Sequence, residues 1–415
     1  MTPLYDPNQT RIFMATIEPI SPKANSSYIP CFDGLRCLSI VLVMISHLYE
    51  FPSETWARSI PGRFGVTVFF FISGTLITRL LMAEYEKRGK IALSAFYIRR
   101  FIRLSPGLLA MVAITGVIFS LMGREVPLAD ACASLFYYQN YYWYFCDVTN
   151  RTAAMDIWGP TWSLAIEEHF YLMFPTLLLL IGPAKSRAIS ILAILCVIPV
   201  FLRIFYWQVL PSPEVYVRVA TECRLDAILT GCVLAVLAHH VSMDSLKRYI
   251  GYSWQFWGCL VLLVGALLIR QPLFKDVLRN SIEQILLLVM IFQLIYTSNH
   301  QWVKQLLELP VMRYVGRISY SLYLWHLFCF DMVQSFLPVN VHLQIAAAFI
   351  LSFMVGSASY FLIEMPLVKL RRRFGSHADK VEMSPGHILD GNPHPIKPQP
   401  ESTELTSPKA VSENV

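Results

Sequence analysis

Residues 33–52 read DGLRCLSIVLVMISHLYEFP, an apolar run opened by an acid and an arginine and closed by a histidine and a proline. Between Arg36 and His47 stand ten residues without a charge. A mostly apolar stretch of about 20 residues is long enough to cross hydrocarbon. Inside lipid every backbone polar group needs an internal partner, so such a stretch is helical. Working outward, similar runs follow at 64–82, 105–122, 158–181, 188–207, 223–241, 252–270, 281–297, 316–337 and 344–365. The short alternating segments of a transmembrane barrel are not seen. The sequence therefore predicts an all-α, polytopic integral membrane helix bundle with about ten transmembrane helices, embedded in a lipid bilayer.

Composition agrees. Of 415 residues, 55% are hydrophobic and 15% charged, where soluble domains carry nearer a quarter charged. Mean hydropathy is +0.50. The net charge of +6 is dispersed among apolar helices, a pattern for membrane-flanking loops and not for nucleic-acid binding. The first 30 residues lack the apolar centre of a cleavable signal, so the first span is expected to act as an uncleaved anchor. With the N-terminus inside, the inner segments hold 21 Lys and Arg and the outer loops hold 7. That bias puts both termini in the cytoplasm and the chain in the cell inner (plasma) membrane. The expected division is a cytoplasmic N-terminal segment at 1–30, a transmembrane domain at 31–373 and a disordered cytoplasmic tail at 374–415. Nine cysteines show no zinc-ligand spacing. Cys132, Cys146 and Cys223 fall in expected loops, where an oxidising compartment would let a pair form a disulfide. The longest outer loop, 123–157, contains FYYQNYYWYF at 136–145. It reads either as an interfacial aromatic belt or as a stacking platform for a sugar.

Ionisable residues within spans are expensive in lipid and mark function by default. Arg36 and His47 are eleven residues apart, close to three helical turns, so they share a face with about 16 Å between their levels. Residues 96–106, FYIRRFIRLSP, place Arg100 and Arg103 at i,i+3, and paired guanidiniums suit phosphates. Residues 65–74, GVTVFFFISG, end in Ser73 and Gly74, which permit close helix approach. Residues 162–171, WSLAIEEHFY, set Trp162 and Ser163 before adjacent acids and a histidine. The sixth run opens with Arg224 and Asp226, a possible ion pair at the membrane edge. The ninth holds GRISYSLYLWH at 316–326, with Tyr323 and His326, and the tenth ends at Glu364 and Pro366.

Taken together and in this order, these stretches resemble the membrane-bound acyltransferase-3 family, whose bacterial members O-acylate sugars, polysaccharides and some antibiotics. The resemblance covers about residues 28–373. The Arg36–His47 spacing and the strings at 162–171 and 316–326 are its most specific parts. His169 departs from the family, which commonly has Gln there, and no appended hydrolase-like domain is seen.

The resemblance implies an O-acyltransferase moving an acyl group, with acetyl expected, from cytoplasmic acyl-CoA to a hydroxyl of a carbohydrate, cell-envelope glycan or glycosylated small molecule. Arg36, Arg100 and Arg103 are assigned to the CoA phosphates. His47 is assigned as the general base or as a transient acyl carrier, both open to an imidazole. Glu167 would orient His47 or the acceptor. Asp33, Ser73, Trp162, Ser163, Arg224, Asp226, Tyr323, His326 and Glu364 are further cavity candidates. No metal is expected. The rival reading is a secondary transporter or flippase using Arg36 and His47 as substrate or proton sites.

Overall fold

The computed structural model describes residues 28–367 except 52–53, 151–155 and 184–185. The expected tail at 374–415 and most of the segment at 1–30 lie outside the described residues. No strand occurs among those described.

Each of the ten apolar runs forms a helix. In chain order the helices are α1 (Phe32–Ser46), α2 (Gly62–Arg88), α3 (Leu93–Leu121), α4 (Leu128–Leu135), α5 (Gln139–Val148), α6 (Thr161–Ile181), α7 (Arg187–Val209) and α8 (Pro213–Val219). They continue as α9 (Thr221–His240), α10 (Met243–Ile250), α11 (Ser253–Leu268), α12 (Arg279–Tyr296), α13 (Gln301–Leu307), α14 (Pro310–Arg317), α15 (Ser319–Phe336) and α16 (Val341–Ser359). By length and apolarity alone, 7 helices among the described residues can cross a membrane, or 8 if the bent α10–α11 pair counts as one. The other two of the ten runs, α9 and α15, have most of their residues buried. A helix buried all round belongs in the centre of a bundle. By contrast, only 22% of the apolar window of α7, and of α16 with its continuation, is buried, so these helices line the rim. The chain is a multi-pass membrane protein.

Backbone-to-backbone contacts fix the centre. Gly74 on α2 faces the Ile228 carbonyl, and Gly231 on α9 faces the Phe71 carbonyl; a Cβ at either would lie 1.9 or 2.1 Å from that oxygen. Only glycine admits this reciprocal approach. Thr75 reinforces it by donating to the Gly231 carbonyl at 3.1 Å. α1 threads between α2, α14 and α15. At its start, Tyr28 donates to Glu308 at 2.5 Å, and the Cys31 amide donates to the same carboxylate.

α3 is longer than the sequence suggests. It begins at Leu93 and continues through Pro106, so the arginine stretch is its first turns and not a loop before it. The expected loop 123–157 contains two short helices. On α5, Tyr141 donates to Glu222 at 2.8 Å and Tyr144 to the Pro211 carbonyl at 3.0 Å. Burial pushes the Tyr141 phenol up to about 12, so it keeps its proton as a donor. All nine cysteines are free thiols, and Cys132, Cys146 and Cys223 lie on α4, α5 and α9 instead of in open loops.

Candidate active site

A cavity of about 110 Å³ opens between α1, α2, α3, α6 and α15. Three guanidiniums reach it: Arg36 from α1, Arg103 from α3 and Arg317 from the end of α14. Asp33 lies 3.7 Å from both Arg36 and Arg317, too long for direct hydrogen bonds. Arg103 makes no hydrogen bond or ion pair among the described residues.

Two carboxylates complete the polar lining. Glu167 accepts from Ser73 and from Tyr171, whose hydroxyls are themselves 3.2 Å apart. Glu364 accepts from Ser321. It is the last residue of a π-helical turn, Tyr360–Glu364, that extends α16, and such turns often re-aim side chains at functional sites. The hydroxyls of Tyr323 and Ser163 lie 2.9 and 3.2 Å from the Pro160 carbonyl and 2.7 Å from each other. Tyr320 donates to the Leu104 carbonyl at 2.5 Å.

His47 and His326 lie one ring behind this wall. Their ring centroids are 5.1 Å apart, and His326 is 6.0 Å from Tyr323. α1 ends at Ser46, and His47 opens a 3-10 turn to Glu50. The His47 ring turns back so that Nδ1 lies 3.0 Å from the Val43 carbonyl. His326 Nε2 lies 3.2 Å from His47 Nδ1.

Of the sequence candidates, Arg36, Arg103, Ser73, Ser163, Glu167, Tyr323 and Glu364 meet in one cavity. Asp33 stands beside it. Arg100 stands a layer back, over the rings of Phe96 and Tyr171 at 5.6 and 5.7 Å. Arg99 is taken up by Glu84 at 3.1 Å. Trp162 packs edge-on against Phe70. Glu167 makes no hydrogen bond to His47 among the described residues; its partners are Ser73 and Tyr171. His169 bonds Thr221 at 2.7 Å and is not in the lining.

The expected Arg224–Asp226 pair is not formed. Residues two apart on a helix point about 200° from each other. Arg224 donates to Thr67 at 3.1 Å, while Asp226 pairs with Arg203 at 2.8 Å. Arg203 also donates to the carbonyl of Val277, next to Asp276, which pairs with Arg63 and Arg218 in a separate ion network, and neither Arg224 nor Asp226 lines the cavity. Arg203, fully buried, is one residue that sequence reading missed. Its signal was plain: an arginine inside an apolar span. Arg317 was also missed, although it stands within the quoted ninth string. Among the described residues, no group of three or more His, Cys, Asp or Glu side chains converges to hold a metal ion.

The fold and cavity define a class: a helical membrane bundle whose polar cavity is lined by arginines, carboxylates and tyrosines, with a histidine pair behind it. The family model described as an acyltransferase domain, acyltransferase-3, matches residues 29–362, and the chain belongs to that family. A Staphylococcus aureus (strain COL) protein carrying an O-acetyltransferase name is 31% identical over 360 residues, covering 82% of this chain and 58% of the relative. The peptidoglycan O-acetyltransferase OatA of Listeria monocytogenes is 30% identical over 370 residues, covering 82% and 56%. The O-acetyltransferase OatA of Staphylococcus aureus (strain NCTC 8325 / PS 47) is 30% identical over 363 residues, covering 82% and 57%. The chain thus spans well under two thirds of the length of these relatives. No solved structure matches.

Proposed function

We propose that this protein is a membrane-bound O-acyltransferase that passes an acyl group, with acetyl expected, from cytoplasmic acyl-CoA to a hydroxyl of a carbohydrate of the cell envelope. The observation that carries the reading is the convergence of Arg36, Arg103 and Arg317 on a chamber that also holds Glu167 and Glu364, within a chain of the acyltransferase-3 family. Guanidinium groups suit the phosphates of CoA. The relatives named as O-acetyltransferases, one of them for peptidoglycan, support acetyl as the group and an envelope glycan as the acceptor.

In this reading the arginines hold the donor and His47 is the base or the transient carrier. As base, His47 takes the proton of the acceptor hydroxyl, whose oxygen attacks the thioester carbonyl. The carbon–sulfur bond then breaks, and the proton passes to the departing CoA thiolate. Glu167, held by Ser73 and Tyr171, orients the acceptor.

The test is acyl-CoA turnover by purified protein in nanodiscs, with and without envelope glycan, followed by mass spectrometry of the products. Release of CoA with glycan-dependent acyl transfer supports the reading. Substrate flux across liposomes with no acyl transfer would replace it with the transporter reading.

A further inference from the structure

His326 is fully buried and lines no part of the cavity, yet both of its ring nitrogens are engaged. Nδ1 lies 2.8 Å from the Tyr323 carbonyl and 3.1 Å from that of Leu322. A carbonyl oxygen can only accept, so His326 Nδ1 carries the proton. Nε2 of the neutral ring is then an acceptor, and its neighbour at 3.2 Å is His47 Nδ1. On its other side His47 Nδ1 meets the Val43 carbonyl at 3.0 Å. Flanked by two acceptors, His47 Nδ1 is protonated, and the lone pair of that ring falls on Nε2. Nε2 of His47 makes no hydrogen bond among the described residues.

We propose that His326 is a positioning residue that holds His47 in the Nδ1–H tautomer and so keeps Nε2 free to take a proton or an acyl group. The proposal rests on the reading of His47 as base or carrier. The arrangement does with a neutral imidazole what a carboxylate does for the histidine of a hydrolase triad, where a wrong tautomer is severely damaging. A neutral partner suits this depth, because a carboxylate with no cation beside it would be costly to bury. As Nε2 receives the hydroxyl proton, positive charge develops on the His47 ring. The Nδ1–H bonds to His326 and Val43 strengthen in that state.

Solid-state NMR of histidine-labelled protein in bilayers reads the tautomer directly, with the His47 signals assigned by their loss in His47→Gln. The expected wild-type result is Nδ1-protonated, neutral His47. His326→Leu, which has no acceptor, should populate the Nε2–H tautomer and lower kcat by about 10²-fold, the lower end for a lost general base, with KM for acyl-CoA unchanged. His326→Gln places an oxygen acceptor near the position of Nε2 and should recover both the tautomer and part of kcat. An Nε2-protonated His47 in the wild type overturns the proposal, as does a His326→Gln protein no better than His326→Leu in both readouts. The two readings fail separately: near-normal turnover in His47→Gln removes the base, whereas the spectrum judges His326 whatever the turnover.

Discussion

Glu167 and Glu168 are adjacent in sequence and divided by one helical step of about 100°. The structure puts Glu167 in the cavity, bonded by Ser73 and Tyr171. Glu168 Oε1 has no hydrogen-bond partner among the described residues, and the residue is not part of the lining. Glu167→Gln is therefore expected to abolish transfer while Glu168→Gln keeps most of it, measured as acyl-CoA turnover of matched, folded preparations. The reverse order would mean that the acceptor meets α6 on its other face. His47→Ala is expected to lower transfer by about 10²–10⁴-fold, while isothermal titration still detects CoA binding. How far the residues were legible follows from period and chemistry. The Glu167 register picks out the cavity acid, whereas the Arg36–His47 spacing predicts one helix face and the structure ends α1 at Ser46, with His47 opening the 3-10 turn that follows. The partnership of His47 with His326 was not legible, because the two stand 279 positions apart and no local pattern records which distant helix α1 meets.

At the scale of elements, α3 sorts its arginines by rotation. Arg103 opens onto the cavity, whereas Arg100 stacks on Phe96 and Tyr171. Arg103→Ala should weaken CoA binding by roughly 10- to 100-fold, the equivalent of about 1.5–3 kcal/mol for a charge-assisted contact. Arg100→Ala should act more weakly on affinity and more on stability. Equal affinities for both variants and the wild type would return α3 to plain anchoring in the headgroup region. Outside the cavity, Asp226→Ala leaves Arg203 buried without its carboxylate. The expected loss is about 3–5 kcal/mol of stability, read as a lower unfolding temperature in detergent with the CoA affinity of the surviving folded fraction unchanged. The sequence misassigned Asp226 to Arg224 because neighbours in the string look like neighbours in space. On a helix they are not.

At the scale of the whole molecule, the ten apolar runs of the sequence each fall in a helix, although length and apolarity select neither α9 nor α15 as a membrane-crossing helix among the described residues. These two carry Arg224 and Asp226, or His326 and Asp331, and most of their residues are enclosed by other helices. Hydropathy alone undervalues such helices because their polar groups are paid for by neighbours that a local window does not see. If all ten helices cross, the chain returns to its starting side. A reporter fused after Val415 is thus expected to work only as a cytoplasmic fusion, and an extracytoplasmic signal would require an odd number of spans.

The paired glycines at the α2–α9 crossing bear on how inactive variants will sort. α2 carries Arg63 of the ion network near one end and Ser73 of the cavity about 15 Å along, at the 1.5 Å rise of a helix. Gly74 and Gly231 pin that rod where backbone touches backbone, with no side chain between them to absorb a change. Gly231→Ala must push the two axes apart and draw Ser73 away from Glu167, although residue 231 touches no substrate. A genetic screen will therefore recover substitutions there in the same drawer as true chemical lesions. A melting curve separates them, since Glu167→Gln should melt near the wild type and Gly231→Ala well below it.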